Sequence, residues 1–401
     1  MKAHTWLQAR QAIYEQGQLR QGQQELELAQ SLGAVLAQDL QAPIALPHYD
    51  SSAMDGYAVC GPGPWLLLDP PPAEEDQNIH RLARDLKPGY ASPILTGGLL
   101  PAGTQAILRQ ERAKLSPKDG LTWLEALGPE PAAGSDIRRA AEELACGSTI
   151  ARAGQDLTPR LLAFLAVCGI STLVAYSRQR LSVAYTGNEV ITRGLPGPGQ
   201  VRDAYSIPFP AILSSYGAEL ASTARLRDSQ QQVLAWVRSS DTASSQLLLV
   251  TGGSSTSRVD VLRQTLKQLG ATYIFSSVAV RPGHPCLCAQ LPDGRLLLGL
   301  PGNPLAAYTS LYSYLPAYLA GACGQALPAL KKYQLAGDIP ALKSEDQRII
   351  PGLRDGLYVI PLLNRSKSHM LSDFAQAQLL LLLPPQGAQA GQDILTLELR
   401  F

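Results

Sequence analysis

The fold of this chain is decided around residues 247–269, and at their centre lies Val250–Asp260, with the sequence V-T-G-G-S-S-T-S-R-V-D. The short apolar run Leu247–Val250 predicts a buried strand, and the apolar spacing over 261–269 predicts a helix. A strand that stops at two glycines and resumes as a helix leaves backbone N–H groups free at the turn. These groups, the nearby hydroxyls and the helix dipole favour binding of a phosphate or another oxyanion. A plain turn with no ligand is the alternative.

The alternation of strand and helix continues on both sides of this loop. Because strands that alternate with helices are typical of a layered α/β domain, residues 177–325 are predicted to form a three-layer α/β domain. Its further predicted strands are Leu181–Tyr185, Glu219–Leu226 and Leu296–Leu300, and its further helices are Ser206–Tyr216, Ser229–Val237 and Leu305–Ala320.

The rest of the chain has a different pattern of residues. The sequence predicts helices within 5–40, including an amphipathic one over 27–40, and a helix that begins at Pro159 with Thr158 as N-cap. We therefore expect 1–46 and 135–176 to form one discontinuous mixed domain. Short strands and many prolines predict a small β domain inserted at 47–134 and a C-terminal β-barrel at 326–401. The expected fold class is multi-domain α/β plus β.

Composition excludes several classes of function. The 401 residues are 45% hydrophobic and 17% charged with a net charge of +1, which argues against non-specific binding to nucleic acid or anionic membranes. No apolar run approaches 18 residues. The six cysteines form no C-x-x-C pair, and the histidines have no ligand spacing, so a metal site built on them is not expected. We expect a cytoplasmic protein with reduced thiols.

Three loops follow strands of the α/β domain, namely Thr186–Glu189, Gly252–Asp260 and Pro301–Pro304. In an open α/β sheet, ligands bind outside the carboxyl ends of the strands, so we expect these loops to converge. Thr186 with Gly187, and Gly252 with Gly253, offer backbone donors.

Three carboxylates, Glu189, Asp228 and Asp260, are predicted around this anion site, and Mg²⁺ prefers such hard oxygen ligands. Each of these residues has a structural alternative. Asp228 and Asp260 are candidates for helix caps, and Glu189 for a solvated surface residue. Asn303 is a candidate for turn stabilisation.

The motifs become specific in combination. In order along the chain they are S-A-M-D-G-Y-A-V at 52–59, T-G-G-x-x-P-x-G at 96–103, T-G-N-E at 186–189, the Gly252-Gly253 loop ending at Asp260, and L-P-G-N-P at 300–304. This set resembles the MoeA family of molybdopterin molybdenumtransferases, which includes the E domain of gephyrin. The resemblance covers residues 5–398.

The resemblance implies an elongated four-domain homodimer, with a third domain similar to the molybdopterin adenylyltransferases. It implies an active site shared between the third domain of one subunit and the first two of the other. The implied reaction uses adenylylated molybdopterin, molybdate and Mg²⁺, inserts the metal into the dithiolene and releases AMP. The adenylyltransferase itself is a candidate partner, whereas nucleic acid and membrane are not.

The resemblance also assigns roles to residues. Glu189 and Asp260 match acidic positions that hold Mg²⁺, Asp228 matches a third catalytic carboxylate, and Asp55 matches one contributed across the dimer. Molybdate is assigned to Arg281, Ser368 and Arg348, with Arg281 counted as catalytic. The remaining implied substrate-binding residues are Thr96, Glu143, Thr186, Gly187, Gly252, Gly253, Ser254, Ser255, Pro301, Gly302, Asn303 and Pro304.

Several positions depart from the family pattern. The family segment Lys-x-x-x-Lys-Pro-Gly-Lys-Pro is S-V-A-V-R-P-G-H-P at 277–285, so Ser277 and His284 replace lysines. Ala306 replaces a serine and Pro351 an arginine, for which Arg348 is the nearest substitute. Lysine and arginine are not interchangeable around an oxyanion. A diverged relative that binds a molybdopterin species or a protein partner without turnover is therefore the alternative to an enzyme, and a scaffold is a third possibility.

Overall fold

A computed structural model describes residues 3–68, 85–252, 256–342, 344–365 and 367–400, with backbone only at 256–260. The chain divides into two compact units. The first unit contains residues 1–38, 153–158 and 174–401, and the second contains 39–152 and 159–173.

The helices of the described residues are α1 (Trp6–Gln18), α2 (Pro159–Val167), α3 (Pro208–Ser215), α4 (Gln230–Val237), α5 (Thr256–Leu269) and α6 (Pro304–Ala322). The strands of the first half of the chain are β1 (Gln23–Glu27), β2 (Leu40–Gln41), β3 (Ser51–Ser52), β4 (Gly56–Cys60), β5 (Trp65–Leu67), β6 (Tyr90–Ile94), β7 (Ala106–Arg109), β8 (Ala113–Lys118), β9 (Leu121–Ala126), β10 (Ile137–Arg138), β11 (Thr149–Ala151), β12 (Thr172–Tyr176), β13 (Arg180–Thr186) and β14 (Val190–Ile191). Those of the second half are β15 (Val201–Arg202), β16 (Glu219–Leu226), β17 (Leu247–Thr251), β18 (Thr272–Phe275), β19 (Val280–Arg281), β20 (Leu287–Gln290), β21 (Leu296–Leu300), β22 (Lys331–Leu335), β23 (Gln347–Asp355), β24 (Tyr358–Pro361), β25 (Leu379–Leu383) and β26 (Asp393–Glu398).

The α/β sheet of the first unit has the strand order β16-β13-β17-β21-β20-β18. The first four strands are parallel to one another, and β20 is antiparallel to both of its neighbours, β21 and β18. Successive side chains of a strand point to opposite faces. Leu249 therefore packs on the face covered by α1, α3 and α6, while Leu248 and Val250 pack on the face covered by α4 and α5. Both faces are buried, which confirms the predicted three-layer domain.

The C-terminal part of the first unit is a closed barrel. Strands β23, β24, β22, β26 and β25 pair in that order, and β25 pairs back with β23. Leu381, Ile350 and Val359 fill its interior. This confirms the predicted C-terminal β-barrel. The short strand β19 adds to the barrel beside β23, with Arg281 opposite Arg348, so the segment after β18 lies against the barrel.

The second unit is mainly β. A six-stranded sheet has the order β7-β4-β6-β5-β9-β8. Two further two-stranded sheets are formed by β3 with β10 and by β2 with β11. Helix α2 begins at Pro159, as predicted. Val59, Trp65 and Leu124 are buried in a hydrophobic cluster on this sheet.

The helix predicted over 27–40 is wrong. Strand β1 ends at Glu27, and Gly33 has a positive φ of 73°, which is incompatible with a continuous helix. Val35 and Leu36 are buried through isolated bridges to Asp156 and Ala175. Their apolar spacing therefore reflects non-local pairing and not a helix face.

The fold class is the predicted one, multi-domain α/β plus β. The four domain boundaries are not decided by the division into two units and stay a prediction. Among the described residues, no helix combines the length and apolarity that a membrane crossing requires.

Candidate active site

Three neighbouring parallel strands end at the same level. Tyr185 pairs with Thr251 across β13 and β17, and Thr251 pairs with Leu300 across β17 and β21. The loops that follow these strands therefore begin side by side, which is the convergence predicted from the sequence. We call this region the strand-end edge, comprising Thr186–Glu189, Gly252 and Pro301–Pro304.

Gly252 lies in direct contact with the end of the adjacent strand. Its φ is +118°, and a Cβ there would lie 2.0 Å from Thr186 Oγ1. That hydroxyl donates to the Thr251 carbonyl at 2.9 Å. Only glycine fits this backbone position. The predicted ligands Gly253, Ser254 and Ser255 lie outside the described residues, as does the side chain of Asp260.

The cap predicted for Asp260 is wrong, because α5 begins at Thr256 and Asp260 lies inside the helix. The cap predicted for Asp228 is also wrong. Ser229 is the N-cap of α4, and Asp228 Oδ2 instead accepts a hydrogen bond from Asn188 N at 3.1 Å. Asp228 therefore connects the segment after β16 to the loop that carries Glu189.

Tyr205, which sequence reasoning missed, supports the Pro301–Pro304 part of the strand-end edge. Its hydroxyl donates to the Gly302 carbonyl at 2.7 Å. Burial, and then the charges of Tyr308, Asp203 and Glu189, raise the pKa of Tyr205, so the hydroxyl keeps its proton. Nothing in the sequence around Tyr205 indicates this contact, because its partner is nearly 100 residues away.

Asn303 is the N-cap of α6, and its side chain bonds a distant loop. Asn303 Nδ2 donates to Ser368 Oγ at 3.1 Å. The Ser368 carbonyl in turn accepts from Leu305 N at 2.9 Å. The Pro301–Pro304 loop is thus joined to the loop around Ser368, and the binding of substrate by Asn303 stays a prediction.

A cavity of about 680 Å³ is lined in part by Pro301 and Asn303 of the Pro301–Pro304 loop. We call it the basic cavity. It brings together Arg281, Arg348 and Ser368, which the sequence assigned to one anion. No carboxylate is among its lining residues, which are Val280, Arg281, Pro282, Gly283, His284, Pro285, Pro301, Asn303, Ala306, Leu342, Arg348, Ile349, Ile350, Lys367, Ser368 and His369.

The arginines of the basic cavity differ in their surroundings. Arg281 Nε donates to Asp346 Oδ2 at 2.8 Å, which fixes its guanidinium. Burial lowers the pKa of Arg348, although a guanidinium stays charged at neutral pH. Lys367 and His369 also line the cavity and were missed as ligands. Both belong to the serine-rich stretch around Ser368, which was the available signal.

In the second unit, Asp55 and Thr96 form a hydrogen-bonded pair. Thr96 N and Thr96 Oγ1 donate to Asp55 Oδ1 at 2.7 and 2.8 Å. These bonds, the backbone one first, lower the pKa of the Asp55 carboxyl. Glu143 is exposed, and its backbone N–H donates to the Leu46 carbonyl at 2.9 Å.

The donor types along the strand-end edge decide which metal it could hold. Over the parts of the chain that are described, no group of three or more His, Cys, Asp or Glu side chains is placed to hold an ion. The donors along the strand-end edge are carboxylate, amide, hydroxyl and backbone oxygens. That set suits Mg²⁺, which binds through one or two carboxylates and retains water.

Comparison with known families gives two matches that together span most of the chain. Residues 4–169 match the model described as "MoeA N-terminal region (domain I and II)". Residues 182–320 match the model described as "Probable molybdopterin binding domain".

Curated relatives are similar over most of their length. A molybdopterin molybdenumtransferase 2 of Mycobacterium tuberculosis is 32% identical over 310 residues, covering 74% of each chain. A molybdopterin molybdenumtransferase of Haemophilus influenzae is 29% identical, covering 79% of this chain and 77% of its own. A molybdopterin biosynthesis MoeA protein of Pyrococcus horikoshii, solved as a crystal structure, has a TM-score of 0.78 at 20% identity, with full coverage of both chains, and this likeness concerns the fold.

Proposed function

The chain belongs to the MoeA family, the molybdopterin molybdenumtransferases, and we propose that it inserts molybdenum into adenylylated molybdopterin with release of AMP. In this reaction the two dithiolene thiols replace two oxo groups of molybdate, which take up protons and leave as water. A water molecule adds to phosphorus as the phosphoanhydride bond breaks, so AMP leaves and molybdopterin keeps its own phosphate. The two regions of the first unit divide this work. The strand-end edge takes the phosphates and the basic cavity takes molybdate.

The observation that carries the proposal is the charge of the basic cavity. Arg281, Arg348 and Lys367 contribute permanent cations to the lining. Asp346, which is not a lining residue, offsets the charge of Arg281, so Arg348 and Lys367 keep the lining positive. Such a site favours a small dianion over neutral or cationic ligands.

Ser368 adds a directed donor to the proposed molybdate site. Because Asn303 Nδ2 already donates to Ser368 Oγ, the serine hydroxyl hydrogen is left to donate to an oxyanion. A hydroxyl donor beside two guanidinium groups is suited to the several oxygens of a tetrahedral anion.

At the strand-end edge, the proposed phosphate site is the Gly252–Ser255 loop, and Glu189 and Asp260 are the proposed Mg²⁺ ligands. When bound, Mg²⁺ offsets the negative charge that develops on the leaving phosphate. Thr186 holds the start of the loop through its bond to the Thr251 carbonyl. Asp228 orients the segment before Glu189 through Asn188.

The proposal includes a homodimer in the cytoplasm. In this dimer, Asp55 and Thr96 of one subunit complete the site of the other, with Glu143 nearby. The two bonds from Thr96 lower the pKa of the Asp55 carboxyl and orient it, which suits a charged partner in a shared site. A transient complex with the adenylyltransferase that supplies the substrate is a further part of the proposal.

Reconstitution tests the proposed reaction. The full-length protein is incubated with adenylylated molybdopterin, Mg²⁺ and molybdate, and AMP and active cofactor are measured. We expect both products, in equal amounts and only when all components are present. If neither forms, and the Ser277→Lys, His284→Lys double variant does not restore them, the enzymatic proposal fails.

The replaced cations at Ser277 and His284 favour one alternative, a relative that binds a molybdopterin species without turnover. Calorimetry separates the two functions. Tight binding of adenylylated molybdopterin together with no AMP release supports the alternative, whereas normal turnover excludes it.

A further inference from the structure

The five basic residues of the basic cavity are held in different ways. Arg281 is committed to Asp346, whose carboxylate offsets its charge. Arg348 lies on β23 and is partly buried in the barrel wall. His284, His369 and Lys367 are exposed. Among these five residues, only Lys367 is exposed, permanently charged and without a carboxylate partner in the part of the chain that the structure describes.

The backbone at Lys367 is fixed although its side chain is exposed. The Lys367 carbonyl accepts from Met370 N at 2.8 Å, which closes a turn. The next residue, Ser368, is bonded through its carbonyl to Leu305 N and through its hydroxyl to Asn303. The ammonium group is therefore carried on a long side chain from an anchored point on the cavity wall.

We propose that Lys367 is an anion-binding residue of the basic cavity and that its ammonium sets the affinity for the oxyanion substrate. This inference rests on the proposed function. It assigns to the molybdate site a cation from the segment around Ser368, and not from segment 277–285. In that segment the chain has Ser277 and His284, so Lys367 supplies a permanent charge that the segment lacks.

An ammonium group suits this role on chemical grounds. It is a compact charge with three donors on a flexible stem, and it adapts to the oxygens of a tetrahedral dianion. A guanidinium that is already fixed by a carboxylate, as Arg281 is, has fewer donors left to offer. Lys367 and Ser368 together would then donate to the same anion from adjacent residues.

The test uses the full-length protein with saturating adenylylated molybdopterin and Mg²⁺. AMP release is measured against molybdate concentration for the wild type, Lys367→Ala, Lys367→Arg and the double variant Lys367→Ala, His284→Lys. The matched control is Lys332→Ala, an exposed lysine of barrel strand β22 outside the cavity lining. Circular dichroism checks that each variant is folded.

For Lys367→Ala we expect KM for molybdate to rise about tenfold or more, the loss of one charge-assisted hydrogen bond, with kcat within about twofold. Lys367→Arg and the double variant should recover most of the affinity, because each restores a cation to the cavity. Lys332→Ala should match the wild type. If Lys367 had only a structural role, Lys367→Ala would lower kcat and stability together, and His284→Lys would not restore the affinity for molybdate.

The outcomes separate this inference from the proposed function. If the wild type turns over and Lys367→Ala has the wild-type KM, the role of Lys367 is overturned while the proposed function stands. If the wild type neither turns over nor binds molybdate, the proposed function fails and the inference fails with it.

Discussion

The strand-end edge and the basic cavity share the Pro301–Pro304 loop but are built in opposite ways. The edge is formed by backbone at the ends of three adjacent strands, with glycine at its closest approach. The cavity is formed by side chains from segments far apart in sequence, and its character depends on which cations they carry. Backbone geometry tolerates sequence change outside a few glycines, whereas a side-chain site changes with every substitution.

The largest effect is expected at the edge. Gly252→Ala places a Cβ against Thr186 Oγ1 at a φ of +118°, so the Thr186 hydroxyl must leave its bond to the Thr251 carbonyl and the backbone is strained as well. We expect a loss of about 2–4 kcal/mol in unfolding free energy, from backbone strain and overpacking together. Urea denaturation followed by tryptophan fluorescence measures it.

The matched control is Gly217→Ala, which also has a positive φ, +82°, but open space around the added Cβ. It should lose only about 1 kcal/mol, from the strained φ alone. Equal losses for the two variants would contradict the close packing described for the edge.

The next effect is expected in the cavity and should leave the fold intact. Arg348→Ala removes a partly buried guanidinium from the lining, and we expect molybdate binding to weaken by about 1.5–3 kcal/mol, the value of one charged hydrogen bond. Calorimetry with molybdate measures it.

Arg354→Ala is the control for Arg348, because it removes the same charge from the exposed end of the same strand. Its molybdate affinity should equal that of the wild type. If both variants lose affinity alike, the cavity acts through its general field and not through the lining side chains.

The smallest effect is expected at Asp203, next to Tyr205, and it is a pH-dependent change in stability. Asp203 accepts hydrogen bonds from Ser206 and from Tyr205 N, and it pairs with Arg225. Burial acts to raise the pKa of Asp203, but the bonds from Ser206 and Tyr205 and the charge of Arg225 outweigh it and lower that pKa. The stability that ionised Asp203 contributes is therefore complete above the unfolded pKa and is lost as pH falls through the lower folded pKa.

Asp203→Asn should cost about 1–2 kcal/mol of stability at pH 7. The difference from the wild type should shrink below about pH 4, because the native carboxylate then becomes protonated. Urea midpoints at several pH values measure it, with the exposed Asp355→Asn as control. A difference that does not change with pH would show that charge on Asp203 is unimportant.

Local patterns predicted the α/β domain well. Strands β16 and β21 occur at Glu219–Leu226 and Leu296–Leu300, the predicted limits. Buried strands can be predicted from local sequence, because each is a short apolar run that ends at a turn residue. The order of the loop motifs also predicted the family.

Three of the errors have one cause. The apolar spacing over 27–40, the cap assigned to Asp228 and the absence of Tyr205 from the expected site all involve partners distant in sequence. A polar side chain that can cap its own helix can equally bond a neighbouring loop, and only the tertiary structure distinguishes these outcomes.

By itself, the sequence determined where strands give way to glycine loops, because period, turn residues and apolar runs act over a few neighbouring residues. It therefore located the strand-end edge. Local patterns gave no sign of the basic cavity, where only the family resemblance grouped Arg281, Arg348 and Ser368, and the tertiary structure decided how they meet. Pairing of β19 with β23 brings Arg281 opposite Arg348, and the bond between Asn303 and Ser368 brings Lys367 to the same wall. Such contacts join segments tens of residues apart, and no local pattern specifies which of the many possible pairings gives the lowest free energy.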